Sequence, residues 1–374
     1  MKVGKGPSAS SRVVMVDVAR RAGVSQKTVS RVVNNAPHVR ADVRDKVNQA
    51  IAELGYRPNV AAQALARERT HTVGVLTLGT PLHGPSRRVF TLERAARHRG
   101  YTLALASMPD LSPVSMAEGL GNLLARGIEG VVLEVPTHLV ELDAVQLAGL
   151  PVVTSAGRIP GVARQTVIDI EQREICRALT QHLLDLGHHT VWHLAGPRDW
   201  DVARKRLSGW RLALRTSGRQ IPRVLYGDWS ARSGYDQGQK LAARDDVTAI
   251  FAANDHMAMG VLRALAEAGR RVPDDVSVVG FDDVPEAEFQ MVPLTTVAID
   301  ADAAAERILS ELVHMIEGGE PAEADVELGA NIVIRRSAGP PPNGHKLSRS
   351  VRPSPSPPGA VVSARSVHYI TNPP

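Results

Sequence analysis

The chain is poor in several things, and each shortage removes a class of protein. Its 374 residues include one cysteine, Cys176, so no intrachain disulfide can form, and a reducing cytosol fits that usage. No uninterrupted apolar run approaches the ~20 residues that a membrane helix needs, so no membrane span is expected. The start, Met1-Lys-Val-Gly-Lys-Gly-Pro-Ser8, is basic but has no apolar stretch behind it, so a secretory signal is not expected and the expected location is the cytoplasm. Neither Gly-x-Gly-x-x-Gly after a strand nor Gly-x4-Gly-Lys-Ser/Thr occurs, which removes the common phosphate-cradling loops. Pro340–Pro374 contains no acidic residue and 9 prolines in 35 positions, so residues 340–374 are expected to be a disordered tail. That tail lacks the leucine heptads that would join dimers into a tetramer. Aromatics are only 3%, which makes any tryptophan in a turn worth noticing.

What remains is ordinary in bulk and uneven in distribution. Apolar residues at 43% and charged residues at 22% describe a globular protein, and the length implies two or three domains. The net charge of +5 is concentrated at one end. Residues 1–70 hold 13 Lys/Arg against 5 Asp/Glu, while the rest hold 31 against 34. A small basic segment on a near-neutral body suits a nucleic-acid-binding head, although a solvated basic face has the same composition.

Val43, Val47, Ile51 and Leu54 recur at helical spacing and Gly55 closes the pattern. Two shorter helical segments precede them, about Val16–Ala22 and Gln26–Asn34. Gly23 permits the sharp turn between them, and Ser25 can cap the second by accepting a backbone N–H. On that second helix Gln26, Lys27, Ser30 and Arg31 share one face, while Val29, Val32 and Val33 lie opposite and can pack on Val18 and Ala22. A short helix held by its apolar side and presenting such groups outward suits a major groove. Arg and Lys can bind the guanine edge and Gln the adenine edge, with Thr28 and Ser30 reaching phosphates. The plain alternative is an amphipathic surface helix.

From residue 71 the pattern changes. Short β-branched or apolar runs alternate with helical stretches: Thr72–Leu78, Tyr101–Ala106, Gly130–Leu133, Val152–Thr154, Thr190–Leu194, Val224–Gly227, Ala249–Ala252 and Val276–Gly280. That alternation implies parallel sheets flanked by helices, in two subdomains. The fold expected is therefore an N-terminal all-α helix-turn-helix head followed by a two-lobed α/β core.

Asp17-Val-Ala-Arg-Arg-Ala-Gly-Val-Ser-Gln-Lys-Thr-Val-Ser-Arg-Val-Val-Asn34, continued by Leu54-Gly-Tyr-Arg-Pro-Asn59 and Ala62-Gln-Ala-Leu-Ala66, closely resembles the N-terminal signature of the lactose/galactose repressor family. The agreement resumes at Leu186-Gly-His-His-Thr190, Leu194-Ala-Gly-Pro197, Ala203-Arg204 through Gly209-Trp210, Gly227-Asp-Trp-Ser230, Ala253-Asn-Asp-His256, Val279-Gly-Phe-Asp-Asp283 and Pro293-Leu-Thr-Thr296. It covers roughly residues 13–337. The resemblance implies a helix-turn-helix head over 13–58 and a hinge helix and linker over 59–70. It implies a core over 71–337 similar to periplasmic sugar-binding proteins, with an N-subdomain of about 71–165 and 298–325 and a C-subdomain of about 166–297 and 326–337.

By that resemblance the DNA contacts are Gln26, Lys27, Thr28, Ser30, Arg31, Asn34 and His38. Asn59, Ala62 and Leu65 belong to the hinge, with Leu65 as an apolar wedge in the minor groove. Fewer than ten residues do not make a stable isolated helix, so the hinge is expected to form only on DNA, paired with its dimer mate. The ligand contacts implied are Leu82, Pro85, Arg204, Trp229, Asn254 and Asp282, with Trp229 stacking on a sugar ring. The partners implied are a palindromic operator in double-stranded DNA, a small-molecule effector and a second copy of the chain; no cofactor, no metal and no enzyme activity are expected.

The sequence departs from the family at several points. Val14 and Arg40 stand where helix-capping Thr or Ser is usual, and losing a cap costs about 1 kcal/mol. Leu78 and Ala156 replace polar cleft residues, and Ile299 lies near the crossover. Arg87 or Arg88 adds positive charge beside the lip formed by Leu82, Gly84 and Pro85, and Glu134 can reach the cleft as an acceptor. A galactoside, a different sugar, and a sugar phosphate drawn by Arg204 and Arg87 all stay open, as does a purine-like co-repressor. Asp282-Asp283 and Asp255-His256 mimic catalytic pairs, and His182, His188, His189 and His193 mimic a metal cluster without a cysteine partner. A free sugar-binding module or a sugar-processing enzyme is the reading from another class.

Overall fold

The computed structural model describes residues 13–34, 36–57, 69–80, 82–135, 147, 149–155, 157–342 and 368–371. Two compact units emerge, residues 1–70 and 71–374, and each is described by itself. The hinge positions Asn59, Ala62 and Leu65, and the cleft candidate Ala156, lie outside the described residues.

In the first unit, α1 (Met15–Ala22), α2 (Gln26–Val33) and α3 (Ala41–Leu54) close around Val18, Val29, Val32, Val47, Ala50 and Tyr56. Gly23 takes φ 67° at the α1–α2 turn, a left-handed conformation that glycine adopts without strain. Ser25 Oγ accepts from Thr28 N at 3.1 Å and caps α2. Val14 and Arg40 provide no side-chain cap. At α1 the loss is partly offset, because Asp17 Oδ2 accepts from Val14 N at 3.1 Å. At α3, Arg40 instead forks onto Asp42.

The second unit contains two parallel sheets. The first runs β11-β5-β4-β3-β1-β2, from β1 (Thr72–Leu78), β2 (Thr102–Met108), β3 (Gly130–Glu134), β4 (Val152–Thr154), β5 (Gln165–Ile170) and β11 (Val326–Leu328). Successive strand residues face opposite sides. Val73 and Val75 pack with α4 (His83–His98) and α10 (Ala301–Ile316), whereas Leu76 packs with α5 (Pro113–Leu124). The second sheet runs β7-β6-β8-β9, from β6 (Trp192–Ala195), β7 (Leu225–Tyr226), β8 (Ala249–Ala252) and β9 (Ser277–Val279). Ala249 and Phe251 face α6 (Gln172–Asp185) and α7 (Asp201–Thr216); Ile250 and Ala252 face α8 (Ala231–Ala242) and α9 (Asp255–Glu267).

Three segments connect the lobes: β5 into α6, β10 (Thr296–Ile299) into α10, and β11 into β12 (Ala330–Ile334). This corrects the expected subdomain limits. Residues 166–170 and 326–328 belong to the first lobe, because β5 pairs with β4 and β11 with β5. The tail expectation is corrected as well. His368–Thr371 forms β13, parallel to β12 from Asn331↔His368 to Ile334↔Thr371. His-Tyr-Ile-Thr suits a strand, and the surrounding prolines hid it. Among the described residues, no helix is long and apolar enough to cross a membrane.

Candidate nucleic-acid interface and ligand cleft

The head brings Gln26, Lys27, Ser30 and Arg31 to one face of α2. Val29 and Val32 are buried at 0% and 3% exposure, which fixes α2 by its apolar side and leaves Gln26, Lys27 and Arg31 exposed, with Thr28 and Ser30 half-buried. Thr28 Oγ1 lies 2.9 Å from Ser25 Oγ, so part of its hydrogen-bonding capacity serves the cap. Asn34 Nδ2 donates to Ser30 Oγ at 3.3 Å and continues the polar face beyond the helix. Exposed His38 takes φ 68° in the following loop, whose Ala36 carbonyl accepts from Arg44 Nη2 at 3.2 Å.

The second unit holds a cleft of about 180 Å³ between its lobes. At ~10–15 Å³ for each water-sized group, it admits on the order of ten such groups, the scale of a sugar ring. Its back wall comes from the crossovers: Ile168, Ile170 and Gln172, then Ile299 and Ala301, then Leu328. Five of the six predicted ligand contacts line it: Leu82, Pro85, Trp229, Asn254 and Asp282.

Trp229 is 5% exposed and takes φ 74°, a conformation that costs a non-glycine residue ~1–3 kcal/mol and persists only where its surroundings enforce it. They do. Asp228 Oδ1 accepts from Ser230 N at 2.9 Å, Ser230 Oγ caps α8, and Asn254 Nδ2 donates to the Trp229 carbonyl at 3.0 Å. Asn254 also caps α9, its Oδ1 accepting from Met257 N at 3.0 Å. A Cβ at Gly196 would stand 2.3 Å from the indole ring, so only glycine lets the ring lie there. Trp200 meets the ring edge-on at 5.8 Å.

Arg204 is a correction. It lies outside the cleft and bonds Asp201 Oδ1 at 3.1 Å, while Arg206 stands in the wall. Two residues along a helix turn the side chain by about 200°, so the two arginines of Arg204-Lys-Arg206 face opposite ways. The sequence carried the signal: Ala203, Arg206, Leu207 and Trp210 form the buried stripe of α7, and an arginine in such a stripe must be paired. Arg206 Nε donates to Gln172 Oε1 at 2.7 Å, Nη1 to the Ala253 carbonyl, and Nη2 to Asp282 Oδ1 at 3.2 Å. Its guanidinium lies 3.6 Å over the Phe281 ring. Asp282 itself takes φ 111°.

On the first lobe Arg88 Nη1 lies 2.9 Å from Glu134 Oε2. Burial pushes the Glu134 carboxyl above its ordinary range, opposed by Arg88. Burial likewise lowers His83, favouring its neutral form. Sequence reasoning missed His83, Ser155, Gln172, Trp200 and Asp201, all in the wall. Leu78 does not line it.

Among the catalytic and metal mimics, Asp255, His188 and His193 have structural bonds. Asp255 Oδ1 accepts from Thr296 Oγ1 at 2.6 Å and Oδ2 from Val284 N at 2.9 Å, tying α9 to the crossover. His188 bonds Thr248 and Ser277, and His193 Nδ1 meets the Phe251 carbonyl at 2.9 Å. Among the described residues, no group of three or more His, Cys, Asp or Glu is placed to hold a metal ion.

Residues 14–59 match the family model for bacterial regulatory proteins of the lacI family, and residues 180–338 match the periplasmic binding protein-like domain. The lactose operon repressor of Escherichia coli (strain K12) is 35% identical over 329 residues, 87% of this chain and 90% of the relative. The crystal structure of the lac repressor dimer bound to operator and the anti-inducer ONPF superposes with a TM-score of 0.78 at 33% identity, over 88% of this chain and all of that one. A transcriptional regulator CelR–cellobiose complex gives 0.62 at 32% identity, over 87% and all. The head, the two-lobed core and these alignments place the chain in the lacI family of DNA-binding bacterial transcriptional regulators.

Proposed function

We propose that the protein is a cytoplasmic repressor without enzyme activity that holds a palindromic operator as a homodimer and is controlled by a sugar in the cleft. The observation that carries the reading is Trp229, forced into a left-handed turn and laid against Gly196 in a wall that also presents Arg206, Asp282 and Asn254. An aromatic face beside charge-paired, hydrogen-bonded groups suits the alternating C–H and O–H surfaces of a sugar. The solved relatives point the same way, one holding operator DNA and ONPF and another cellobiose.

Gln26, Lys27 and Arg31 read base edges; Thr28, Ser30, Asn34 and His38 contact the backbone or flanking positions. Asn59, Ala62 and Leu65 contact the minor groove when two copies meet on DNA. A sugar that binds one arrangement of the lobes more tightly than the other shifts the population between them, and operator affinity follows. Release of DNA by the sugar is the direction proposed. Selection of binding sites from random duplexes with full-length protein, followed by gel shifts with neutral sugars, tests the reading. An enriched palindrome released by one sugar supports it; no enriched sequence refutes it.

A further inference from the structure

We infer that the molecule accepted by the cleft is uncharged, and that Glu134 is the residue that selects it. This rests on the sugar reading above and narrows it, since sequence alone left both neutral and phosphorylated sugars open.

The first observation is the pairing of charge in the wall. Arg88 is bound to Glu134 at 2.9 Å and Arg206 to Asp282 at 3.2 Å. Two further donors of Arg206 go to Gln172 and the Ala253 carbonyl. Arg204, which would have attracted a phosphate, turns away onto Asp201. Arg87 is exposed. Half-buried Arg88 and buried Arg206 therefore already have their carboxylates, and an anion entering beside them would have to displace one, with only the screened Arg87 left to meet it.

The second observation is what the wall leaves unsatisfied. Glu134 Oε1, Trp229 Nε1 and His83 Nε2 are buried atoms that make no hydrogen bond within 3.5 Å among the described residues, although the Ser155 hydroxyl is near enough to act on the Glu134 carboxyl, and all these residues line the cleft. Glu134 Oε1 can only accept while ionised, and Trp229 Nε1–H can only donate. A sugar hydroxyl meets both demands, because it donates to one atom and accepts from another. A phosphate monoester at neutral pH offers acceptors and about −1.5 to −2 charges, so beside Glu134 Oε1 it meets repulsion and leaves that acceptor unpaired. A uronate fails likewise. The cleft thus takes a neutral polyol that places a hydroxyl on Glu134 and an oxygen lone pair on Trp229.

Calorimetry on the full-length protein with glucose, galactose, lactose, cellobiose, glucose 6-phosphate, galactose 6-phosphate and glucuronate tests this. At least one neutral sugar is expected to bind, with each anionic compound at least 100-fold weaker. In Glu134→Gln the Arg88 charge loses its counter-ion, so the preference for neutral over phosphorylated sugar should fall at least tenfold. A merely structural glutamate would weaken both ligands alike. The double variant Arg88→Met/Glu134→Met, which keeps the wall neutral if the single variant does not fold, should lose neutral-sugar binding without gaining phosphate binding. Tighter binding of a phosphorylated sugar by the wild type, or an unchanged preference in Glu134→Gln, overturns the inference. Wild-type protein that binds no compound of either kind overturns the sugar reading itself, and the inference with it.

Discussion

At the scale of single residues, two positions show how burial turns chemistry into architecture. Gly196 exists for Trp229: the ring occupies the space where any side chain would begin. Gly196→Ala should tilt the indole, weaken sugar binding at least tenfold and leave ligand-free operator binding intact; isothermal titration beside gel shifts measures both. Equal sugar affinity would show the ring is not a wall of the site. His193 is the second case. Burial holds its imidazole down at about 3, against about 6.5 in a free chain. Between those values the unfolded chain binds a proton that the folded chain refuses. Stability is therefore present above about pH 6.5 and is lost as pH falls toward 3, and His188, lowered by burial too, adds the same sign. His193→Phe leaves the Phe251 carbonyl without its partner and so lowers stability at pH 7, yet it should flatten the acid slope. Urea titrations from pH 4 to 7 read that slope, and an unaltered one would contradict the assignment.

At the scale of elements, α7 is divided into two faces with different fates. Arg206 on the buried face holds Asp282, so Arg206→Ala leaves a carboxylate uncompensated and should cost roughly 3–5 kcal/mol. Arg204→Ala removes a half-exposed pair and should change stability by less than ~1 kcal/mol, with sugar binding unchanged. Denaturant titration separates them, and a large loss for Arg204→Ala would reverse the correction made above. In α2, Arg31→Ala should reduce affinity for the selected palindrome by ~1–3 kcal/mol while random DNA loses less. Equal losses would reduce Arg31 to a phosphate contact. Much of this scale was legible in advance: Gly23, Ser25 and the valine stripe fixed the head, and β-branched runs located most strands of the core. What escaped depends on distant partners. Gln165–Ile170 and Val326–Leu328 join the first sheet only by pairing with β4 and with each other. His368–Thr371 is a strand only because β12 offers an edge. Arg206, not Arg204, reaches the cleft because helical phase, which a linear motif does not specify, decides which arginine of Arg204-Lys-Arg206 faces inward.

At the scale of the whole molecule, the core is two parallel-sheet lobes joined by three segments, and those same segments line the back of the cleft. A ligand that touches both lobes and their connections is placed to favour one arrangement over another. A shift by a factor of 100 in operator affinity needs about 2.7 kcal/mol of differential binding, which two or three additional hydrogen bonds from a sugar can supply. The measurement that tests this most directly is operator affinity of the full-length protein, titrated with the neutral sugar that binds most tightly in calorimetry. The account predicts a drop of at least tenfold in affinity with half-effect near the sugar's own dissociation constant, absent in Gly196→Ala. Operator binding that stays constant while the cleft fills with sugar would contradict it.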